Sequence, residues 1–330
     1  MSEKENNSVK NLIKTGNERI EAGLQLPDIN SLMGDIWQSG ELAIFFGGTG
    51  TGKSIFSVQA GDKISKGENV LPILANECPP QPVLNFDFEL SDKQFQVRYT
   101  SLDKKSKYQF SDNYKTVNIP FGEIYEPGKK ITDKVFEIIE KCLDETGAKV
   151  LIIDNITALS GEDSRDGNVA MEIMSTLDRL KRDRGLSILV LGHTPKKFEF
   201  TALTNSDLAG SAKLMQFADA AFAIGKSQLG SDFRYIIQTK YSRTKKEAFD
   251  SNNVITVRKV FNPNCLRFEF EGTHKESEHI SQDGDDPKLQ AIAYKNQGLS
   301  VREIHEKLNV SIGTVSNWTK NERGHEPFEK

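Results

Sequence analysis

A chain of 330 residues with 37% hydrophobic and 27% charged side chains has room for one sizeable α/β domain and a small companion, and is not the composition of a disordered chain. The formal net charge of −4 excludes a molecule that holds nucleic acid through an overall positive field, so any such contact must come from local patches or channel-lining loops. Three scattered cysteines (Cys78, Cys142, Cys265) do not make a disulfide framework or a zinc site, and no stretch reaches the ~20 apolar residues of a membrane span.

In chain order, residues 1–28 are polar and expected to be a flexible N-terminal segment. The first residues, MSEKENNSVKNLIKTG, lack the apolar core of a signal peptide, so the expected location is cytoplasmic with no membrane partner. Leu26, Ile29, Leu32, Ile36 and Trp37 are expected to pack against the edge of the core. Apolar runs then alternate with amphipathic stretches, the pattern of βαβ units around a parallel sheet. Predicted strands are Leu42–Phe46, Val83–Phe88, Val150–Ile153 and Ile188–Leu191, each nearly continuous in apolar residues because both faces are covered. Ile131, Val135, Ile138, Ile139 and Cys142 form one face of a helix that Gly147 ends. Val169, Ile173, Leu177 and Leu180 form another, closed by Gly185. After the run Ala220–Ile224 the pattern turns strand-rich, at Tyr235–Thr239, Val254–Val260 and Leu266–Phe270. Residues 271–286 have almost no apolar side chain and are expected to be a linker, placing one domain at 29–270 and a second at 287–330.

The strongest chemical signal is Gly47-Gly48-Thr49-Gly50-Thr51-Gly52-Lys53-Ser54, which satisfies G-x-x-x-x-G-K-[ST] between a strand and a helical stretch. Glycines let successive backbone N–H groups converge on phosphate, and the following helix adds its N-terminal partial charge. Lys53 is expected on the β/γ-phosphates of ATP and Ser54 on Mg²⁺. The run Val150–Ile153 ends in Asp154, where such a site needs its second Mg²⁺ anchor. Glu89, at the end of Val83–Phe88, is expected to polarise the attacking water, with Asp87 as its rival. His193, ending Ile188–Leu191, is the candidate sensor of the γ-phosphate.

With these residues in place, the chain resembles RecA-like ATPases over roughly 29–270, in the branch of hexameric DNA helicases of the DnaB and RepA types. The strand ends Phe86-Asp87-Phe88-Glu89, Ile153-Asp154-Asn155 and Leu191-Gly192-His193-Thr194 carry the likeness, together with Leu208-Ala209-Gly210-Ser211-Ala212. The resemblance implies a RecA-like α/β core with a mostly parallel twisted sheet flanked by helices, a homo-oligomer that is a hexamer, and loops near 158–168 and 195–210 that face single-stranded DNA. It also implies a basic residue supplied to the neighbouring subunit's nucleotide. The candidates are Lys240 and Arg243, spaced Lys-x-x-Arg where many relatives have Lys-x-Arg.

Residues 287–320 carry the apolar skeleton of three short helices, with Gly298 between the first two, Ser300 and Glu303 as a capping box, and Ser311 as a cap. This string resembles the helix-turn-helix of resolvases, except that His305 stands where that family has alanine. The resemblance implies a third helix that enters the major groove of duplex DNA, with Ser311, Gly313, Thr314, Ser316, Asn317 and Lys320 toward it. The module holds five Lys/Arg against two Glu, in an acidic chain. The leading expectation is an ATP-driven DNA motor acting in replication or mobilisation. The alternatives are a DNA-bound regulator or recombination mediator that uses ATP as an assembly switch, and a three-helix protein-interaction module.

Overall fold

The computed structural model describes residues 13–119, 124, 128, 130–159, 167–194, 200–208, 211–245, 247–280, 287–296 and 299–320. It divides into two units, Met1–Asn30 and Ser31–Lys330. The first holds α1 (Gly16–Leu24), so the segment expected to be flexible contains a helix. Thr15 and Glu18 start it with a reciprocal capping box. No residue of α1 is buried, and Leu26 and Ile29 are exposed rather than packed against a core.

The second unit begins with a small antiparallel pair, β1 (Ser31–Met33) and β2 (Trp37–Gln38), which buries Leu32, Ile36 and Trp37. The parallel strands are β3 (Leu42–Gly47), β4 (Val83–Asp87), β5 (Tyr114–Val117), β6 (Val150–Asp154), β7 (Ser187–His193) and β8 (Ala220–Lys226). Between them run α2 (Lys53–Ser65), α3 (Asp92–Arg98), α4 (Ile131–Thr146), α5 (Gly167–Arg184) and α6 (Ser211–Phe217). The antiparallel strands β9 (Phe233–Lys240), β10 (Val254–Phe261) and β11 (Leu266–His274) extend one edge, giving the order β11-β10-β9-β8-β3-β7-β6-β4-β5. This is the α/β core expected from the sequence, a mostly parallel sheet flanked by helices.

Because strand side chains alternate, β3 serves two cores. Leu42, Ile44 and Phe46 join the apolar faces of α4 and α5, while Ala43 and Phe45 join Phe56 and Val58 of α2. Gly147 and Gly185 end α4 and α5 in the left-handed conformation, at φ +62 and +64.

The segment expected to be a linker is folded over its first part. β11 runs to His274, and α7 (Glu276–His279) follows with Glu276 and His279 buried. His279 is held by Ser227 at 2.7 Å and Thr256 at 2.9 Å, and it stacks on Tyr235. Only residues 281–286 of the segment lie outside the described residues.

The C-terminal module is α8 (Pro287–Asn296), α9 (Val301–Leu308) and α10 (Ile312–Lys320) around Ala291, Tyr294, Ile304, Leu308 and Val315. Ser300 and Glu303 form the expected capping box, and Asn309 turns the chain at φ +53. His305 contacts the Val310 carbonyl at 2.8 Å through Nδ1, which ties α9 to the turn where an alanine could not. Gly298 lies outside the described residues. Among the described residues no helix is long and apolar enough to cross a membrane.

Candidate active site

The strand register builds the site. Gly47 pairs with His193 across β3 and β7, and Asp87 pairs with Asp154 across β4 and β6, so four carboxyl ends meet along one edge of the sheet. That is where open α/β sheets hold ligands.

The loop 47–54 leaves β3 and enters α2. Gly50 and Gly52 sit at φ +74 and +100, which favour glycine, and a Cβ on Gly47 would stand 2.4 Å from the Ile224 carbonyl oxygen. Thr51 closes the loop by donating its hydroxyl to the Gly48 carbonyl at 2.9 Å. Lys53 Nζ, buried, donates to the carbonyls of Gly47 and Gly48 at 2.9 and 3.1 Å. Burial lowers its pKa, against the pull of Asp154 and Glu89. Ser54 hydrogen-bonds Asp154, whose carboxyl burial pushes up to about 6 with Glu89 and Asp87 adding to the rise.

The two rival acids are placed differently. Asp87 Oδ1 accepts from the backbone N–H groups of Glu89 and Leu90, both at 2.9 Å, so this buried carboxylate holds the turn after β4. Glu89 stands beyond that turn, half exposed, and accepts from Asn155 Nδ2. It also lies 3.4 Å from His193 Nε2, and that hydrogen bond is the main cause that lowers its pKa.

His193 bridges the cluster, with Nδ1 at 3.3 Å from Lys53 Nζ. An ammonium only donates, so Nδ1 faces the Lys53 donor, while Nε2 lies between the Asn155 amide nitrogen at 3.0 Å and the Glu89 carboxylate at 3.4 Å. The chain of contacts Lys53–His193–Glu89–Asn155 thus joins residues that end or follow four neighbouring strands.

Two residues of the site had no assigned role in the sequence reading. Asn155 follows Asp154 directly, and its place after the acid was the available signal. Arg234, buried on β9, donates Nε to the Thr51 carbonyl at 3.1 Å and supports the phosphate loop from behind. Nothing in the pattern of β9 marked it.

Lys240 and Arg243 stand apart from this cluster. Lys240 Nζ donates to the carbonyls of Met215 and Ala218, both at 2.6 Å, and so caps the end of α6. Arg243 is 72% exposed, with Nε 4.0 Å from Asp219. Of the loops expected to face DNA, 160–166, 195–199 and 209–210 lie outside the described residues, as do the side chains of Ser211 and Ala212. On α10, Gly313 and Asn317 are exposed while Thr314 and Ser316 are half-buried. Ser311 accepts from the Thr314 N–H at 3.1 Å, so its hydroxyl serves the helix end. The side chain of Lys320 lies outside the described residues.

A cavity of about 550 Å³ opens before Gly48, Thr49 and Thr51, and its far wall is formed by Tyr294, Glu303 and Lys307 of the C-terminal module.

Among solved structures, a KaiC-like protein from the hyperthermophilic archaeon Pyrococcus horikoshii OT3 is similar at 16% identity, over 70% of this chain and 90% of that one, with a TM-score of 0.45. Residues 15–199, more than half of the chain, match the AAA domain family. With its phosphate loop, buried Asp154 and strand-end Glu89, this P-loop chain belongs to the AAA domain family.

Proposed function

We propose that the chain is a homo-oligomeric, hexamer-forming ATPase of the cytoplasm that couples ATP hydrolysis to movement on DNA, with the C-terminal module recruiting it to duplex sites. The observation that carries the hydrolytic part is the contact chain from Lys53 through His193 to Glu89, set on adjoining strand ends. Lys53 faces the phosphates, and Glu89 orients a water while His193 and Asn155 hold its carboxylate in place. His193, touching both Lys53 and Glu89, senses whether a γ-phosphate is present.

Ser54 and Asp154 suit Mg²⁺, since a hydroxyl and a buried carboxylate already share a hydrogen bond there. When bound, the ion would neutralise charge on the β- and γ-phosphates. Lys240 is committed to α6, so Arg243, exposed, is the residue we assign to the neighbouring subunit's nucleotide. The DNA-reading role rests on the shape of α8–α10, on exposed Gly313 and Asn317, and on the module's local excess of basic residues over Glu.

One observation favours the second reading, a DNA-bound regulator that uses ATP as a switch without unwinding. The module lines the cavity before the phosphate loop, which brings it near enough to follow nucleotide state without supplying a catalytic group. Strand displacement by the full-length protein with ATP, run beside ATP turnover with and without single-stranded DNA, separates the two. A motor displaces the strand and is stimulated by DNA. A switch binds duplex in a nucleotide-dependent way and displaces nothing.

A further inference from the structure

Glu276 and His279 come from a stretch that reads in sequence as a tail after the last strand, yet both are buried. A buried carboxyl is kept only where other groups hold it. Glu276 Oε1 accepts the Leu203 N–H at 3.0 Å, across 73 residues of chain, and the Tyr235 hydroxyl lies beside the same carboxyl. That hydroxyl donates to the Thr201 carbonyl at 3.1 Å. Two positions of the segment after β7 are therefore fastened to α7 and its neighbour on β9.

On its other side α7 is tied to the turn between β8 and β9. The Gln228 N–H donates to the His279 carbonyl at 3.0 Å, and the Gln228 side-chain amide donates to the Glu278 carbonyl at 3.1 Å. The His279 ring, fixed by Ser227 and Thr256, stacks on Tyr235 at 5.2 Å. Burial pushes its pKa down to about 4, with His274 adding to the fall, so it packs as an uncharged ring at neutral pH.

What α7 holds is one wall of the cavity before the phosphate loop. Thr201 and Leu203 line that cavity opposite Gly48, Thr49 and Thr51. Gly225 lines it too, and the Tyr235 ring lies so close that a Cβ on Gly225 would stand 2.4 Å from it. Successive residues of β9 point to opposite faces. Arg234 reaches the Thr51 carbonyl and Tyr235 the Thr201 carbonyl, so one strand sets the phosphate loop and the facing wall together.

We propose that Glu276 is a positioning residue for ATP, which fixes the wall of Thr201 and Leu203 at the separation from the phosphate loop that the bound nucleotide needs. It acts through the backbone of that wall and not on the phosphates. The proposal rests on ATP occupying residues 47–54, and it is independent of the DNA reading.

Calorimetric titration of the full-length protein with adenylyl-imidodiphosphate, a non-hydrolysable ATP analogue, and Mg²⁺ separates positioning from support of the fold. Stoichiometry counts the folded molecules, whereas Kd reads the site in each of them. Glu276→Ala leaves the Leu203 N–H without its acceptor. The wall then stands in place for only a fraction of the time, and Kd rises about tenfold at unchanged stoichiometry. Glu276→Gln keeps an oxygen for Leu203 and stays within about twofold of the parent. Tyr235→Phe keeps the ring and loses the bond to Thr201, which raises Kd about threefold and decides the question if Glu276→Ala does not fold. A parental Kd in Glu276→Ala or, where that variant is unfolded, in Tyr235→Phe overturns the proposal and leaves the nucleotide site standing. So does a Kd in Glu276→Gln raised as far as in Glu276→Ala. A parent that binds no analogue overturns both this proposal and the nucleotide site.

Discussion

At the strand ends of the core, the working side chains hold one another before any ligand arrives. Lys53 rests on two backbone carbonyls and approaches His193, Ser54 bonds Asp154, and Glu89 is held by Asn155. On α10 the candidate DNA-reading residues are arranged differently. Gly313 and Asn317 are exposed, and the core beneath them, with Val315 at its centre, does not involve them. The first region is preorganised in a low-dielectric setting, where one deletion disturbs several partners at once. The second is a surface laid over a separate small core, where a side chain can be exchanged without loss of fold. The proposed chemistry and the proposed DNA address are thus assigned to regions of different tolerance.

The largest effect expected from breaking this contrast is on the core. Lys53→Ala removes the charge that meets the phosphates and leaves β3 and α2 packed. ATP turnover falls by about 10³-fold, the size of loss seen when a preorganised electrostatic contact is removed. Steady-state phosphate release checks it, with circular dichroism confirming the fold. Turnover at the parental rate would remove Lys53 from the site.

Next comes the buried acid. Asp154 has its folded pKa pushed up to about 6, above the ~3.9 of a free carboxyl, so the folded protein holds a proton that the unfolded chain has released. Stability therefore falls as pH rises from about 4 to about 6, by about 3 kcal/mol for a shift of about two units. Asp154→Asn lacks this loss, so relative to the parent it gains about that amount between pH 4 and pH 7. Urea unfolding without nucleotide measures it, and a gap that does not change with pH would contradict the assignment.

The smallest effect on chemistry, and the sharpest on address, comes from removing residues 287–330. Every proposed catalytic group precedes residue 244, so basal hydrolysis stays at the parental level while preference for a duplex site is lost. On the proposed DNA reading, the truncated protein still binds single strands through the core in a salt-sensitive way. Duplex binding at two salt concentrations, with an ATPase assay alongside, decides it. Unchanged site preference would favour a protein-interaction module instead.

These regions also differed in how openly the sequence announced them. The phosphate loop was legible because its glycines are required by backbone geometry, and β3, β6 and β7 because strands covered on both faces must be apolar throughout. Glu89 and Asp154 followed from their place at strand ends. Arg234 was hidden because a charged residue on an edgeward strand reads as solvated, whereas here its guanidinium is buried beneath Thr51. The stretch after Phe270 misled for the opposite reason. Glu276 and His279 are polar and buried, held by hydrogen bonds that composition does not reveal. Lys240 looked available in sequence and is bound to two carbonyls at the end of α6.

The most direct test of the core assignment sets Glu89→Gln against Asp87→Asn in single-turnover hydrolysis of prebound ATP. Glu89 faces His193 and Asn155 at the site, whereas the Asp87 carboxylate is turned onto the backbone of residues 89 and 90. The account predicts that Glu89→Gln retains bound ATP but cleaves it about 10²- to 10⁴-fold more slowly, the range for loss of a positioned general base. Asp87→Asn lowers stability through the turn after β4 and cleaves ATP within about tenfold of the parent, because its role is to hold Glu89 rather than the water. Cleavage at the parental rate by Glu89→Gln, with hydrolysis lost in Asp87→Asn, would contradict the account.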